Sequence, residues 1–233
     1  MSLPAQLLFW VVLFNLLCLD DANWTPATMT AISTDSFGFT GSAWLYGGGT
    51  GGVDAEVVMV GSDQSSVSKV MRSTDGGVSW STFYTTSTYP HVLLDVDLVR
   101  VTTTRYYVAV GMNGNPANSE ANPGVILVCA IVGDGTCSTW TTIYKSSLLV
   151  GVKLAVSTGY AVGFSGTVLT ATSNFTSWAQ ASSLPGSIDG TLFYSAAMYP
   201  LNASYVTIAG GGGWLSAKPR PLRGLVQRLV QTI

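Results

Sequence analysis

The sequence predicts an all-β fold, and three observations carry that expectation. Charged residues and helix formers are scarce, apolar residues come in short runs without a helical period, and one strand-plus-glycine landmark recurs at near-constant spacing.

The 10 Lys and Arg with the 12 Asp and Glu make 22 charged residues in 233, while Gly, Ser and Thr each number 26. Polar surface is therefore built from hydroxyls and turns, a composition that favours strands over helices. Disorder needs low hydrophobicity and high net charge; this chain is 47% hydrophobic with a net charge of −2. The same balance argues against a nucleic-acid partner, which needs clustered cations to displace counterions. Before residue 218 the cations are Lys69, Arg72, Arg100, Arg105, Lys145 and Lys153.

The landmark is a short strand ending in glycine: VVMVG at 57–61, YVAVG at 107–111, GYAVG at 159–163 and VTIAG at 206–210. Successive terminal glycines lie 50, 52 and 47 residues apart. A second apolar strand follows each one, and in three units a Trp strand comes next, at Trp80, Trp140 and Trp178. A further apolar segment precedes the later glycine strands, as at 93–99, 148–155 and 191–199. Four short strands every fifty residues or so, split by turn-rich loops, predict β-propeller blades of four antiparallel strands. Three blades are expected whole. The fourth unit stops at 213–217 without a Trp strand, so the expected propeller is incomplete.

Residues 73–80 read STDGGVSW. Ser73, Asp75, Gly77, Ser79 and Trp80 match every defined position of the Asp-box, or BNR repeat, and the chain resembles that β-propeller superfamily. Asp75 suits a hairpin as an acceptor for turn amides, Gly76 and Gly77 supply positive φ, and Trp80 is expected in the blade core. Later copies decay: 133–140 keeps Thr139 and Trp140 with Asp134 one place early, and 171–178 keeps Ser177 and Trp178. The blade pattern, clearest at 159–178, is most similar to photosystem II assembly and stability factors, with sialidase and sortilin-type propellers as more distant relatives. The resemblance runs from about residue 55 to 215. It implies that the box is a structural device and not a catalytic site. It also implies a ring of about seven blades, more than this chain holds, so the ring is completed by another copy or partner or the chain is a shortened product. The arginine-rich surface of the assembly factors has no counterpart here.

Resemblance to sialidases would imply three arginines around a substrate carboxylate, a Tyr–Glu pair and an Asp acid. Their opening motif is absent, and Glu56 and Glu120 lie outside any such pattern. Asp95 and Asp97 alternate on one strand and share a face; they read as the polar edge of a blade strand rather than a glycosidase pair. His91, the single histidine, cannot build a multi-histidine metal cluster and reads as a solvated turn residue. The glycines at 210–213 form a blade turn rather than a phosphate cradle. No catalytic, metal or cofactor site is expected. The expected function is a non-catalytic scaffold for a protein or glycan partner, with a sialidase-like glycoside hydrolase and a photosystem II assembly-type factor as alternatives. Loop 112–123 (MNGNPANSEANP) reads as exposed, a common place for binding.

Residues 7–19 are apolar except for Asn15, which matches a signal-peptide core too short to span a bilayer. The organisation expected is a signal at 1–22, blades at 23–217 and a basic tail at 218–233. The chain is then secreted or lumenal, or in a plastid lumen if the source is an alga. Cys129 and Cys137 flank a Gly-Asp-Gly turn; an oxidising compartment favours a disulfide over two thiols on one hairpin. Asn23, Asn174 and Asn202 head glycosylation sequons, Asn174 at an expected hairpin tip. The tail holds four cations and no acid and reads as a basic amphipathic helix able to meet a membrane surface or partner. Strands near 207–217 are expected to form an unfinished edge that invites self-association.

Overall fold

The computed structural model describes residues 38–45, 56–62, 68–85, 91–133, 137, 139–181, 192–199, 202–210, 213–217 and 226–227. They form four four-stranded antiparallel sheets, each a meander in chain order. The first holds β1 (Gly38–Leu45), β2 (Glu56–Ser62), β3 (Ser68–Ser73) and β4 (Ser81–Thr85). The second holds β5 (Val92–Val101), β6 (Thr104–Met112), β7 (Gly124–Val132) and β8 (Thr141–Lys145). The third holds β9 (Leu149–Ala155), β10 (Thr158–Gly163), β11 (Val168–Thr172) and β12 (Trp178–Gln180). The fourth holds β13 (Phe193–Tyr199), β14 (Asn202–Gly210), β15 (Gly213–Ala217) and β16 (Val226–Gln227). Among the described residues the fold is four blades of a β-propeller, and β1 and β13 do not pack together as β1 and β5 do, consistent with an incomplete ring.

The first strands β1, β5, β9 and β13 lie beside one another in that order, as the inner strands of radiating blades do. Apolar cores fill the gaps between neighbouring sheets. Ala43, Val58, Val60 and Val70 meet Leu98, Tyr107, Ala109 and Leu127 between the first and second. Val108, Val110 and Ile126 meet Val152, Ala161, Leu169 and Trp178 between the second and third. Tyr160, Val162 and Val168 meet Phe193, Val206 and Ile208 between the third and fourth. Strand patterns follow from this stacking. β7, covered on both faces, reads GVILVCAIV and is buried over its first six residues. β2, whose far face meets no described sheet, alternates buried and half-buried positions over residues 56–60.

The glycine landmark has a steric cause. A Cβ on Gly111 would sit 2.0 Å from the Val92 carbonyl oxygen, and one on Gly163 would sit 2.0 Å from that of Leu148. The chain entering β5, β9 and β13 crosses against the end of the second strand of its sheet, and no side chain fits there.

Of the tail, Val226 and Gln227 are described, and there the chain is strand rather than helix. The two pair with Ala217 and Ser216. Inter-strand pairing satisfies their backbone groups where an isolated short helix would be marginal. The fourth unit thus has four strands rather than three, the outermost only two residues long. The edge expected at 207–217 is accordingly covered at one end by the chain itself. Among the described residues no helix is long and apolar enough to cross a membrane. The signal segment and Asn23 lie outside the described residues.

Candidate functional site

The turn from β3 to β4 is tied by its own side chains. Ser73 Oγ accepts the Gly77 amide at 2.8 Å and donates to Asp75 Oδ1 at 2.7 Å. Both Asp75 oxygens accept the Ser79 amide, at 2.8 and 3.0 Å, and Asp75 also takes the Ser79 hydroxyl. The Ser79 hydroxyl, then its amide, hold the Asp75 carboxyl down to about 2. Gly76 and Gly77 adopt φ of 74° and 94°. Trp80 Nε1 donates to the Gly77 carbonyl at 2.9 Å. The third sheet repeats that bond without the aspartate: Trp178 Nε1 donates to Phe175 O at 2.8 Å, with Phe175 itself at φ 54°.

Trp80 does not sit in a core as the sequence suggests. It is half-buried and joins no core cluster of the described residues, whereas Trp178 is 4% exposed and Trp140 packs on the core between the first two sheets. The reason is position. Trp140 lies against Phe83 and Tyr84 of the preceding sheet, with ring centroids 5.4 and 5.1 Å apart, and Trp178 also faces the sheet before it. No described sheet precedes the first. The buried Trp140 Nε1 has no hydrogen-bond partner among the described residues. Asp134 lies outside them, and Thr139 and Ser177 are exposed. Cys129 and Cys137 form a disulfide across this turn, with Cα atoms 6.1 Å apart. Asn174 is exposed at the β11–β12 turn, as a glycan acceptor must be; Asn202 begins β14, and its side chain is outside the described set.

In a four-strand meander, the entry to the first strand and the turn between second and third strands share one end. That end carries the 113–123 loop, which is built rather than loose. The Asn113 amide donates to Pro123 O at 2.8 Å, and its side chain donates to Asn118 Oδ1 at 2.6 Å and Asn122 O at 2.8 Å. His91 anchors it by accepting the Gly114 amide on Nδ1 at 3.0 Å, which places the ring proton on Nε2. His91 is therefore not a solvated residue: it is 4% exposed, and burial lowers its pKa. The loop leaves Pro116, Ala117, Glu120 and Ala121 exposed. Met112 and Phe164, each directly after its sheet's landmark glycine, are 40% and 44% exposed at this end of neighbouring sheets.

Two polar clusters lie inside, and the sequence did not reveal either. Asp97 is buried and Asp95 half-buried, and neither is on a polar edge. Asp95 Oδ2 accepts the Val152 amide at 2.9 Å, and Asp97 Oδ2 accepts the Leu154 amide at 2.7 Å and pairs with Lys153 at 3.0 Å. Burial drives Asp95 up to about 7 and Asp97 upward as well. One oxygen of each ties β5 to β9, and the other accepts the following amide of β5. The second cluster centres on the fully buried Glu56, whose carboxylate accepts from Arg72, from Arg105 Nη1 at 3.2 Å and from the Tyr107 hydroxyl. Burial, then the Glu56 charge, raises the Tyr107 pKa. Glu56 and Arg72 belong to the first sheet and Arg105 and Tyr107 to the second, so the cluster joins the two. Among the described residues no three metal-ligating side chains converge.

No family model matches the chain, and no curated protein matches it. Similar solved structures include the computationally designed Ika4 protein, at 8% identity and a TM-score of 0.47, covering 84% of this chain and 99% of that one. YCF48 from Cyanidioschyzon merolae is similar at 10% identity and a TM-score of 0.49, over 83% of this chain and 55% of that one. A family 43 glycoside hydrolase, a β-1,3-galactosidase, is similar at 12% identity and a TM-score of 0.47, over 77% of this chain and 43% of its own. The chain thus spans about half the length of these two natural proteins.

Proposed function

We propose that the chain is a non-catalytic propeller scaffold of the Asp-box type that binds a protein segment at its loop end, in a secretory or lumenal compartment. The observation that carries this reading is the placement of Met112 and Phe164. Two large apolar side chains stand exposed on neighbouring sheets, beside a loop held rigid by Asn113 and His91. Rigid loops with exposed apolar anchors bind partners at low entropic cost. The Cys129–Cys137 disulfide fits an oxidising compartment. Against an enzyme, Asp95 and Asp97 each direct one oxygen to a backbone amide of the next sheet and the other to an amide of their own strand.

The test is a peptide array and a glycan array, each probed with the wild-type chain and with Met112→Asp and Phe164→Asp. Peptide binding lost in both variants at unchanged Tm supports the proposal. Glycan binding alone would replace the protein partner by a sugar. Turnover of aryl glycosides or sialosides abolished by Asp95→Asn would overturn the scaffold reading in favour of a glycoside hydrolase.

A further inference from the structure

The turns that lead into Trp80, Trp140 and Trp178 join the third and fourth strands of successive sheets, and two of them share one bond. Trp80 Nε1 donates to the Gly77 carbonyl at 2.9 Å, and Trp178 Nε1 donates to the Phe175 carbonyl at 2.8 Å. Each acceptor lies three residues before its tryptophan. The residue three before Trp140 is Cys137, which is bridged to Cys129. There the bond is missing: Trp140 Nε1 is buried and has no acceptor among the described residues. The turn that carries the disulfide is thus the one whose indole goes unpaired.

The bridge accounts for the missing bond. Its Cys129 end is fixed, 1% exposed within β7 and opposite Tyr107 of β6. Cys137 must keep its Cα within reach of that sulfur, and it lies 6.1 Å from the Cα of Cys129. The bridge therefore sets where the Cys137 carbonyl lies. The indole cannot follow it, because its ring packs on Phe83 and Tyr84 of β4, with centroids 5.4 and 5.1 Å apart. A buried donor without an acceptor has given up water and gained nothing in return. The side chain three residues before the tryptophan does not forbid the bond. Phe175 accepts it at φ 54°, so a residue with a bulky Cβ substituent can hold that position.

We propose that Cys129 and Cys137 form a redox switch: the bridge keeps Trp140 unpaired, and its reduction lets the Cys137 carbonyl reach the indole and complete the bond made in the sister turns. The turn lies at the end of the sheet opposite the 113–123 loop, so the switch is separate from binding there. A dithiol reductant supplies the electrons. Its thiolate attacks the Cys137 sulfur, because Cys137 is half-buried whereas Cys129 is closed in the core. The S–S bond breaks, and Cys129 leaves as a thiolate and takes a proton. The second thiol of the reductant then displaces Cys137 from the mixed disulfide. The protein gains two electrons and two protons, and the reductant departs as its own disulfide. Trp140 and Cys137 both pack on the core between the first two sheets. The two states therefore differ in how that junction closes beside β4.

The test equilibrates the full chain with dithiothreitol and reads the reduced fraction by thiol alkylation and mass spectrometry, for wild type, Trp140→Phe and Trp178→Phe. Phenylalanine keeps a ring on Phe83 and Tyr84 but has no N–H to leave unpaired in the bridged state. The Trp140→Phe bridge should therefore be harder to reduce, with the exchange constant shifted about tenfold toward the disulfide. Trp178→Phe, whose bond is the same in both states, should leave the constant unchanged. Equal constants for wild type and Trp140→Phe, a bridge easier to reduce in that variant, or the same shift in Trp178→Phe overturns the proposal. Nuclear magnetic resonance of the wild-type chain gives a readout that needs no substitution in the core. On reduction the Trp140 indole proton should move downfield, as a newly hydrogen-bonded proton does, while those of Trp80 and Trp178 stay in place. A Trp140 indole proton that does not move when the bridge is reduced overturns the switch.

Discussion

Replacing Glu56 by glutamine tests whether the interior charge cluster holds the first two sheets together. Glu56 has no solvent exposure, and its partners Arg105 and Arg72 have side chains only 4% and 13% exposed. Glutamine keeps the shape but removes the charge that both guanidinium groups face. Breaking a buried ion pair by deleting one partner costs about 3–5 kcal/mol, because the remaining charge stays desolvated. Two features place this site near the lower end. Arg105 also donates to the Gly133 carbonyl, and Arg72 lies over the Phe83 and Tyr107 rings at 5.2 and 5.6 Å. A loss of about 3 kcal/mol lowers Tm by roughly 6–12 °C in a chain of this size. Urea unfolding followed by near-ultraviolet circular dichroism measures it. The companion variant Glu56→Met with Arg72→Met and Arg105→Met should lose less than the single change, because no charge is stranded. A Glu56→Gln chain within about 1 kcal/mol of the parent, or a triple variant worse than the single one, would refute the reasoning.

Three further outcomes are expected. Asp95, at about 7 in the folded chain, retains its proton between roughly pH 4 and 7 where the unfolded chain has lost it. Stability should therefore fall as pH rises through that window, by on the order of 4 kcal/mol in all. His91, with its lowered pKa, pulls the other way below its ordinary value, so the readout is the difference in urea midpoint between wild type and Asp95→Asn from pH 5 to 8. An unchanged slope in the variant would refute the assignment. Gly163→Ala forces a methyl group against the Leu148 carbonyl and should destabilise by about 1–3 kcal/mol in thermal unfolding; a neutral result would show that the crossing can relax. Reducing the Cys129–Cys137 disulfide, whose cysteines are 8 residues apart, should cost about 2–3 kcal/mol, measured as the urea midpoint with and without reductant; no shift would mean that this turn is held by other contacts.

The blades were legible because their landmarks have local causes. Gly111, Gly163 and Gly210 each mark a carbonyl crossing, and Trp80 and Trp178 each bond a carbonyl three residues back. What depends on one sheet meeting the next was not legible. Glu56 and Arg105 are 49 residues apart and come together only when two blades stack. Asp95 and Asp97 looked like a polar edge because alternation along a strand reports a shared face but not what covers it. His91 looked solvated because its partner, the Gly114 amide, lies 23 residues away. At Val226 and Gln227 an apparent helical period lost to pairing with β15, a competition that sequence periodicity does not weigh.

Many of the ties between neighbouring sheets end on backbone atoms. Thr40 donates to the Leu93 carbonyl, Ser68 accepts the Leu93 amide, and Asp95 and Asp97 accept the Val152 and Leu154 amides. A backbone amide is the same whatever side chain it carries. A newly duplicated unit can therefore be held by its neighbour before its own sequence has adapted, and mutation of the held strand does not erase the tie. Gene duplication can lengthen such a protein one unit at a time and leave divergence for later. The four copies here share little beyond the landmark glycine, and the ties have changed with them: Thr40 and Ser68 hold β5, whereas Asp95 and Asp97 hold β9.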